Sequence, residues 1–174
     1  VPDCYLIFDA EFRHKYPVGP VAPGYAQPDL ALSRRLRDGF LIKGATLDEL
    51  ATKLELDAAR VAKTIKRFNG LARNGVDEDF HRGESLGDLY YADARVKPNP
   101  SLRALEKAPF YAIRVYPGDL GTKGGLVTDA AARVLNESGE PIPGLFAAGN
   151  CASAVMGATY PGAGGTIGPA LTFG

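Results

Sequence analysis

The stretch from Pro143 to Gly174 sets the strongest constraint on what this chain can fold into. Eight of the 21 glycines fall between Gly144 and Gly174, more than twice their density elsewhere. Glycine loses more conformational entropy on ordering than any other residue, so such crowding calls for tight turns or for backbone brought close to a ligand. Leu145-Phe-Ala-Ala148 reads as a short buried strand, closed by the turn-forming pair Gly149-Asn150. Thr166-Ile-Gly-Pro-Ala-Leu-Thr-Phe173 reads as the start of a helix, because Pro169 is tolerated only in a first turn, where its missing N–H costs nothing. Strand, glycine loop and helix N-terminus together turn several N–H groups and a positive dipole end toward a ligand.

The earlier sequence alternates short strands and helices. Tyr5-Leu-Ile-Phe8 is an apolar, β-prone run and predicts a buried strand, followed by one turn of helix from Glu11 to Tyr16. Prolines and glycines between Pro17 and Pro28 predict an ordered loop. Leu30 to Arg37 predicts one short amphipathic helix stopped by Gly39, and Phe40-Leu-Ile42 a short strand. Thr46-Leu-Asp-Glu49 is a capping-box pattern opening a helix to about Leu54. A longer helix from Asp57 carries Ala58, Val61, Ala62, Ile65, Phe68 and Ala72 at helical spacing, and Asn74-Gly75 ends it. Its basic residues Arg60, Lys63, Lys66 and Arg67 read as a solvated face. Gly75 to Pro100 lacks periodicity. Its Asp77-Glu78-Asp79 triplet beside His81 serves capping and loop solvation better than a metal, since no further ligand follows at a suitable spacing. Phe110 to Tyr116 predicts a strand leading into the glycine loop Gly118 to Gly125. Leu126-Val-Thr128 and Arg133-Val-Leu135 predict two more short strands.

Composition narrows the function classes. With 20 basic and 20 acidic residues among 174, and no basic patch interleaved with aromatics, nucleic acid is not an expected partner. No apolar run approaches the roughly 20 residues of a membrane span. Cys4 and Cys151 form neither a disulfide framework nor a metal-ligand spacing, and the expected compartment is reducing and cytoplasmic. Val1 in place of an initiating Met, and a helix running out at Gly174, predict a piece of a longer chain.

Gly144-Leu-Phe-Ala-Ala-Gly-Asn150 resembles the late flavin-contacting strand of the fumarate reductase/succinate dehydrogenase flavoprotein superfamily. Tyr160-Pro-Gly-Ala-Gly-Gly-Thr-Ile-Gly-Pro-Ala-Leu-Thr-Phe-Gly174 resembles one branch of it, the 3-ketosteroid Δ1-dehydrogenases. So do Phe68-Asn-Gly-Leu-Ala-Arg73, Lys97-Pro-Asn-Pro100, Lys107-Ala-Pro-Phe-Tyr111 and Gly118-Asp-Leu-Gly-Thr-Lys-Gly-Gly125. The fumarate-reducing branch would carry a substrate-binding His-Thr before the paired glycines, where this chain has Gly121-Thr-Lys-Gly-Gly125.

The resemblance implies FAD-dependent dehydrogenation of a 3-ketosteroid between C1 and C2, with hydride passing to the flavin. It implies an α+β substrate domain over residues 1–121, incomplete at its N-terminus. Residues 122–174 would then be the C-terminal segment of a Rossmann-like α/β FAD-binding domain. The partners implied are a 3-ketosteroid, the N-terminal FAD-binding part of the same protein and an unspecified electron acceptor. Alternatives are a related flavoprotein acting at another steroid position or on a fumarate-type dicarboxylate, or a folded but inactive fragment.

Read with that resemblance, Gly149, Asn150, Gly165, Thr166 and Ile167 form the cofactor-binding set, at the ribityl and ring end. Asn150 offers a donor and an acceptor to a ribityl hydroxyl, and the Thr166 and Ile167 N–H groups suit the flavin O2 edge. Tyr160 and Gly164 form the catalytic pair, a phenol and a backbone N–H aimed at the substrate ketone as an oxyanion hole. No metal is implied. The family's proton-accepting tyrosine falls on none of Tyr5, Tyr16 or Tyr25, and His14 and His81 read as surface histidines. The competing reading of the glycine loop is a packing corner that needs glycine only for its turns.

Overall fold

Three antiparallel strands organise the first half of the computed structural model, which describes residues 4–119 and 121–174. The chain divides into two compact units between Tyr116 and Pro117. In the first, β1 (Cys4–Asp9) and β2 (Ile42–Gly44) flank β3 (Phe110–Val115). Phe8 pairs with Tyr111 and Ile42 with Ala112, so β3 is the central strand. Its Phe110, Tyr111 and Ala112 are buried, as befits a strand flanked on both edges. One core cluster joins Phe8, Val18, Val21, Leu32, Leu41 and Tyr111; a second joins Leu50, Leu54, Phe110 and Ala112. Burying such side chains contributes about 1.5–3 kcal/mol each relative to exposure.

The helices start where the caps allow. Asp9 caps α1 (Ala10–Lys15) through a hydrogen bond accepted from the Phe12 N–H at 2.9 Å. Its other oxygen accepts from the Glu106 and Lys107 N–H groups, both at 3.1 Å, and so ties the start of α1 to the approach of β3. Thr46 caps α3 (Leu47–Lys53) by accepting from the Glu49 N–H. Glu49 reaches back one residue further than a capping box requires, accepting from the Ala45 N–H at 2.8 Å. Asp57 caps α4 (Ala58–Asn74), which buries Val61, Ile65, Leu71 and Ala72 and ends at Gly75 in the left-handed conformation, φ 76°.

Asn69 on α4 forms a two-bond clamp, donating to Leu105 O at 2.9 Å and accepting from Leu105 N–H at 2.8 Å. Asn99 makes a second clamp, donating to Gly75 O and Arg82 O and accepting from Ser101 N–H. Both asparagines are buried, and every such amide left unpaired would cost about 1–3 kcal/mol.

Four sequence expectations change in the first unit. Leu30 to Arg37 is a 3-10 turn (Asp29–Ala31) and then α2 (Arg34–Gly39), because Leu32 turns into the core and Ser33 is extended and caps the second piece. The strand expected at Phe40 begins at Ile42 instead, since Phe40 is the C-cap of α2. Within Gly75 to Pro100 a short helix, α5 (Leu86–Tyr91), forms on a capping box in which Ser85 and Asp88 satisfy each other's backbone. Asp77 is not a loop-solvating carboxylate: it is buried, accepts from Arg82 Nε and receives the Asp79, Phe80 and Arg82 N–H groups.

The second unit contains a two-stranded sheet, β4 (Arg133–Leu135) and β5 (Pro141–Phe146), and one helix, α6 (Ile167–Phe173). Residues 126–128 make only isolated bridges, Leu126 to Ala152 and Thr128 to Val134, not a strand. The strand expected at Leu145 begins at Pro141 and is exposed along its length. Among the described residues β4 is its sole sheet neighbour, which leaves Leu145 and Phe146 uncovered. No helix among the described residues is long and apolar enough to cross a membrane.

Candidate active site

Tyr160, Gly121, Thr122, Lys123 and Thr166 line a cavity of about 200 Å³ within the second unit. The residues meet because the chain returns on itself. Leu126 N–H donates to Cys151 O at 3.0 Å, Ser153 N–H to Leu126 O at 2.8 Å, and Ala154 N–H to Lys123 O at 3.1 Å, which lays residues 123–126 beside 151–154. Gly121 adopts φ 145°, and a Cβ there would come within 2.5 Å of the Asn150 amide nitrogen, so this close approach needs glycine.

Beyond Tyr160 the chain makes a tight turn in which Gly165 N–H donates to Gly162 O at 3.1 Å. Gly164 is the third residue of that turn and has φ 88°, the position where a type II turn requires positive φ. Gly168 N–H donates to Gly164 O at 2.8 Å as α6 begins. Thr166 is the N-cap but gives no side-chain cap. Among the described residues, the N–H groups of Gly164, Thr166 and Ile167 donate to no acceptor, and the Tyr160 hydroxyl takes part in no hydrogen bond. Tyr160 is 54% exposed and Ile167 62% exposed. Gly149 and Asn150 form a 3-10 turn with Cys151, and Gly149 lies against Ala170 of α6.

Of the predicted set, Tyr160 and Thr166 share the cavity; Gly164 and Gly165 belong to the turn joining them, Ile167 opens α6, and Gly149 abuts that helix. These groups suit the ribityl and ring end of a flavin in chemical kind: unspent N–H donors at a helix start, an amide, and backbone unscreened by Cβ atoms. The resident that sequence reasoning missed is Lys123. Its ammonium lies over the Tyr160 ring, 5.1 Å from the centroid. Gly121-Thr-Lys-Gly-Gly125 supplies the lysine, but nothing local in the sequence directs it to a tyrosine at position 160.

A larger cavity in the first unit, about 440 Å³, is lined by charges that already match. Glu11 accepts from Lys107 and Lys15, each at 2.8 Å, and pairs with Arg103; Arg73 pairs with Glu106. The hydrogen bonds from Lys107 and then Lys15 hold the Glu11 carboxyl down to about 2, and so it is no proton acceptor near neutrality. The first unit's tyrosines are partly spent too: Tyr16 donates to Asp93 and Tyr111 to Asp29. His81 is exposed, with Nδ1 at 3.2 Å from Glu84, and exposed His14 packs edge-on to Tyr25.

A family model described as "FAD binding domain" matches residues 1–167. The chain belongs to the FAD-binding domain family. FAD is therefore the cofactor to which a chain of this family is matched. The chain is 54% identical to the 3-oxosteroid 1-dehydrogenase of Mycolicibacterium smegmatis over 98% of its own length and 29% of that relative. It is 46% identical to the 4-oxocyclohexanecarboxylate 2-dehydrogenase of Sinomonas cyclohexanicum, over 98% of its length and 28% of the relative. The crystal structure of 3-ketosteroid delta1-dehydrogenase from Sterolibacterium denitrificans, in complex with 1,4-androstadiene-3,17-dione, superposes with a TM-score of 0.86 at 47% identity. That match covers 98% of this chain and 30% of the solved one. The chain thus spans less than a third of the length of the relatives it matches.

Proposed function

We propose that a longer protein carrying this chain is an oxidoreductase of the CH–CH class that removes hydrogen from C1 and C2 of a 3-ketosteroid. The observation that supports it most is an unspent phenol at Tyr160 together with an unspent N–H at Gly164, where nothing lies within 4 Å of the place a Cβ would occupy. Those two donors would bind the C3 oxygen as an oxyanion hole. Polarising the ketone acidifies the C2–H bond, and the negative charge that develops on oxygen is where a donor contributes most, about 3 kcal/mol for each one removed. FAD, when bound, supplies the acceptor for the hydride that leaves C1. The N–H groups of Thr166 and Ile167 and the Asn150 amide would hold the ribityl and ring end of FAD, with Gly149 and Gly165 completing the set through the turns they form. No residue of this chain is assigned the proton at C2.

The first unit is proposed as part of the substrate-binding domain and the second as the C-terminal part of a Rossmann-like FAD-binding domain, in a cytoplasmic protein that hands electrons to a separate acceptor. The names of the relatives support the substrate class, since both the steroid and the cyclohexanecarboxylate carry the ketone on a six-membered ring. Tyr160 and Gly164 would recognise that ring ketone, and the remainder of the protein would distinguish steroid from monocycle.

The test is steroid-dependent reduction of a redox dye by the full-length flavoprotein. Androst-4-ene-3,17-dione should reduce the dye with one equivalent of 1,4-dien-3-one formed. Dye reduction by 4-oxocyclohexanecarboxylate or succinate, and none by the steroid, would overturn the reading. The 174-residue chain alone is expected to hold FAD weakly and to be inactive, because it spans only 29% of the length of a relative such as the 3-oxosteroid 1-dehydrogenase of Mycolicibacterium smegmatis.

A further inference from the structure

We infer that Lys123 is a positioning residue for Tyr160: its ammonium, resting on the face of the phenol ring, fixes the ring's orientation and leaves the hydroxyl free for the substrate oxygen. This rests on the reading of Tyr160 given above. The two side chains line one cavity, with the ammonium 5.1 Å from the ring centroid. Among the described residues Lys123 makes no ion pair, and its ammonium lies over the ring face. A cation held there is attracted by the ring quadrupole without competing for the hydroxyl's hydrogen bond.

The backbone that carries Lys123 is itself fixed. Ala154 N–H donates to Lys123 O at 3.1 Å, and Thr122 Oγ1 donates to Gly124 O at 2.9 Å. By contrast, Tyr160 is more than half exposed and stands just before a glycine turn, so little else restrains its ring. A half-exposed tyrosine on such a loop would otherwise sample several rotamers, and an oxyanion donor misplaced by about 1 Å loses much of its effect. The same positive charge also stands beside the phenol as negative charge grows on the ketone oxygen that the hydroxyl would bind.

The experiment is a double-mutant cycle in the full-length flavoprotein, with Lys123→Met, Lys123→Gln, Lys123→Arg, Tyr160→Phe and Tyr160→Phe combined with Lys123→Met. Each is followed by single-turnover flavin reduction under anaerobic mixing with androst-4-ene-3,17-dione, which keeps slow variants measurable. Steroid affinity, flavin content and thermal midpoint are recorded alongside. Tyr160→Phe retains the ring but removes the hydroxyl, so a lysine that acts through the hydroxyl has nothing left to act on.

Lys123→Met and Lys123→Gln are each expected to slow reduction about tenfold with the midpoint and flavin content preserved. Lys123→Arg, which can also rest on a ring face, should recover most of that loss. In the Tyr160→Phe background Lys123→Met should then cost nothing further. An undiminished rate in Lys123→Met and Lys123→Gln overturns the proposal, and so does the same loss in both backgrounds, which marks a general structural role. A normal rate in Tyr160→Phe removes Tyr160 from the chemistry altogether, and that failure is distinct from a slow Tyr160→Phe beside an unimpaired Lys123→Met.

Discussion

The two units hold their shapes by different means. The first encloses buried side chains in three clusters and pairs its buried carboxylates and amides with named partners. In the second, Ala132, Val134 and Ala152 are the buried residues among those described, and none of them is large. Its form comes from backbone hydrogen bonds across turns, such as Ala147 N–H to Ala132 O at 3.0 Å, and from glycines at positions no other residue fits. The first unit spends its buried polar groups on its own chain. A region built on bare backbone presents N–H groups and the occasional outward side chain, and each proposed site residue lies there.

Substitutions can break that contrast. The largest effect is expected from Leu50→Ala, which empties a fully buried position between α3 and the sheet and should cost about 2–5 kcal/mol. Denaturant unfolding of the full-length protein checks it; a cost below 1 kcal/mol would mean the first unit is not core-stabilised. Tyr160→Phe should do the reverse, slowing turnover roughly a hundredfold, about 3 kcal/mol, while moving the thermal midpoint little. Unchanged turnover with a lowered midpoint would make Tyr160 a packing residue like Tyr111.

Next in size is Gly121→Ala. A Cβ would press on the Asn150 amide at 2.5 Å with φ held at 145°, strain on the order of 1–3 kcal/mol. Flavin content measured by absorbance should fall with it, whereas alanine at Gly118, where nothing lies within 4 Å of the added carbon, should leave flavin content alone. Equal flavin in both variants would detach Asn150 from the cofactor.

The smallest effect concerns acid. The hydrogen bond from Arg82 holds the Asp77 carboxyl down to about 2, against the pull of burial. A folded value below the unfolded one of about 3.9 means stability that is full above pH 4 and lost as pH falls through 2. The Glu11 carboxyl, also near 2, behaves alike. Wild-type stability should therefore decline between those limits, and Asp77→Asn should decline less steeply. Parallel pH curves for the two would show that the pair does not report on folding.

The first unit was more legible in the sequence than the second for the same physical reason. Periodicity records burial, and Val61, Ile65 and Ala72 announce α4 because the helix has a core to face. Caps were readable too, since Asp57 and Thr46 act within three residues of themselves. Ser85 and Asp88 carried the same local signal for α5, passed over because Leu86, Leu89, Tyr90 and Tyr91 are exposed and show no buried stripe. The Asp77–Arg82 pair was not readable, because an acidic triplet does not declare which of its members turns inward. At the candidate site, glycine density and Pro169 located the turn and helix start. The partnership of Lys123 with Tyr160 spans 37 residues of chain and depends on a return path that no local pattern encodes.

The two asparagine clamps carry a consequence for how this architecture tolerates change. Asn69 holding Leu105, and Asn99 holding Gly75, pinch the chain at the neck of an excursion that contains α5. With the neck closed by side-chain amides, the tip near residues 84–92 contributes little to the strands, whose pairing depends on what happens at either side of the pinch. Doubling the length of such a loop costs only about 0.6 kcal/mol of closure entropy. The excursion is thus the place where descendants of this fold can gain or lose residues, and acquire new surface, with the sheet register left as it is.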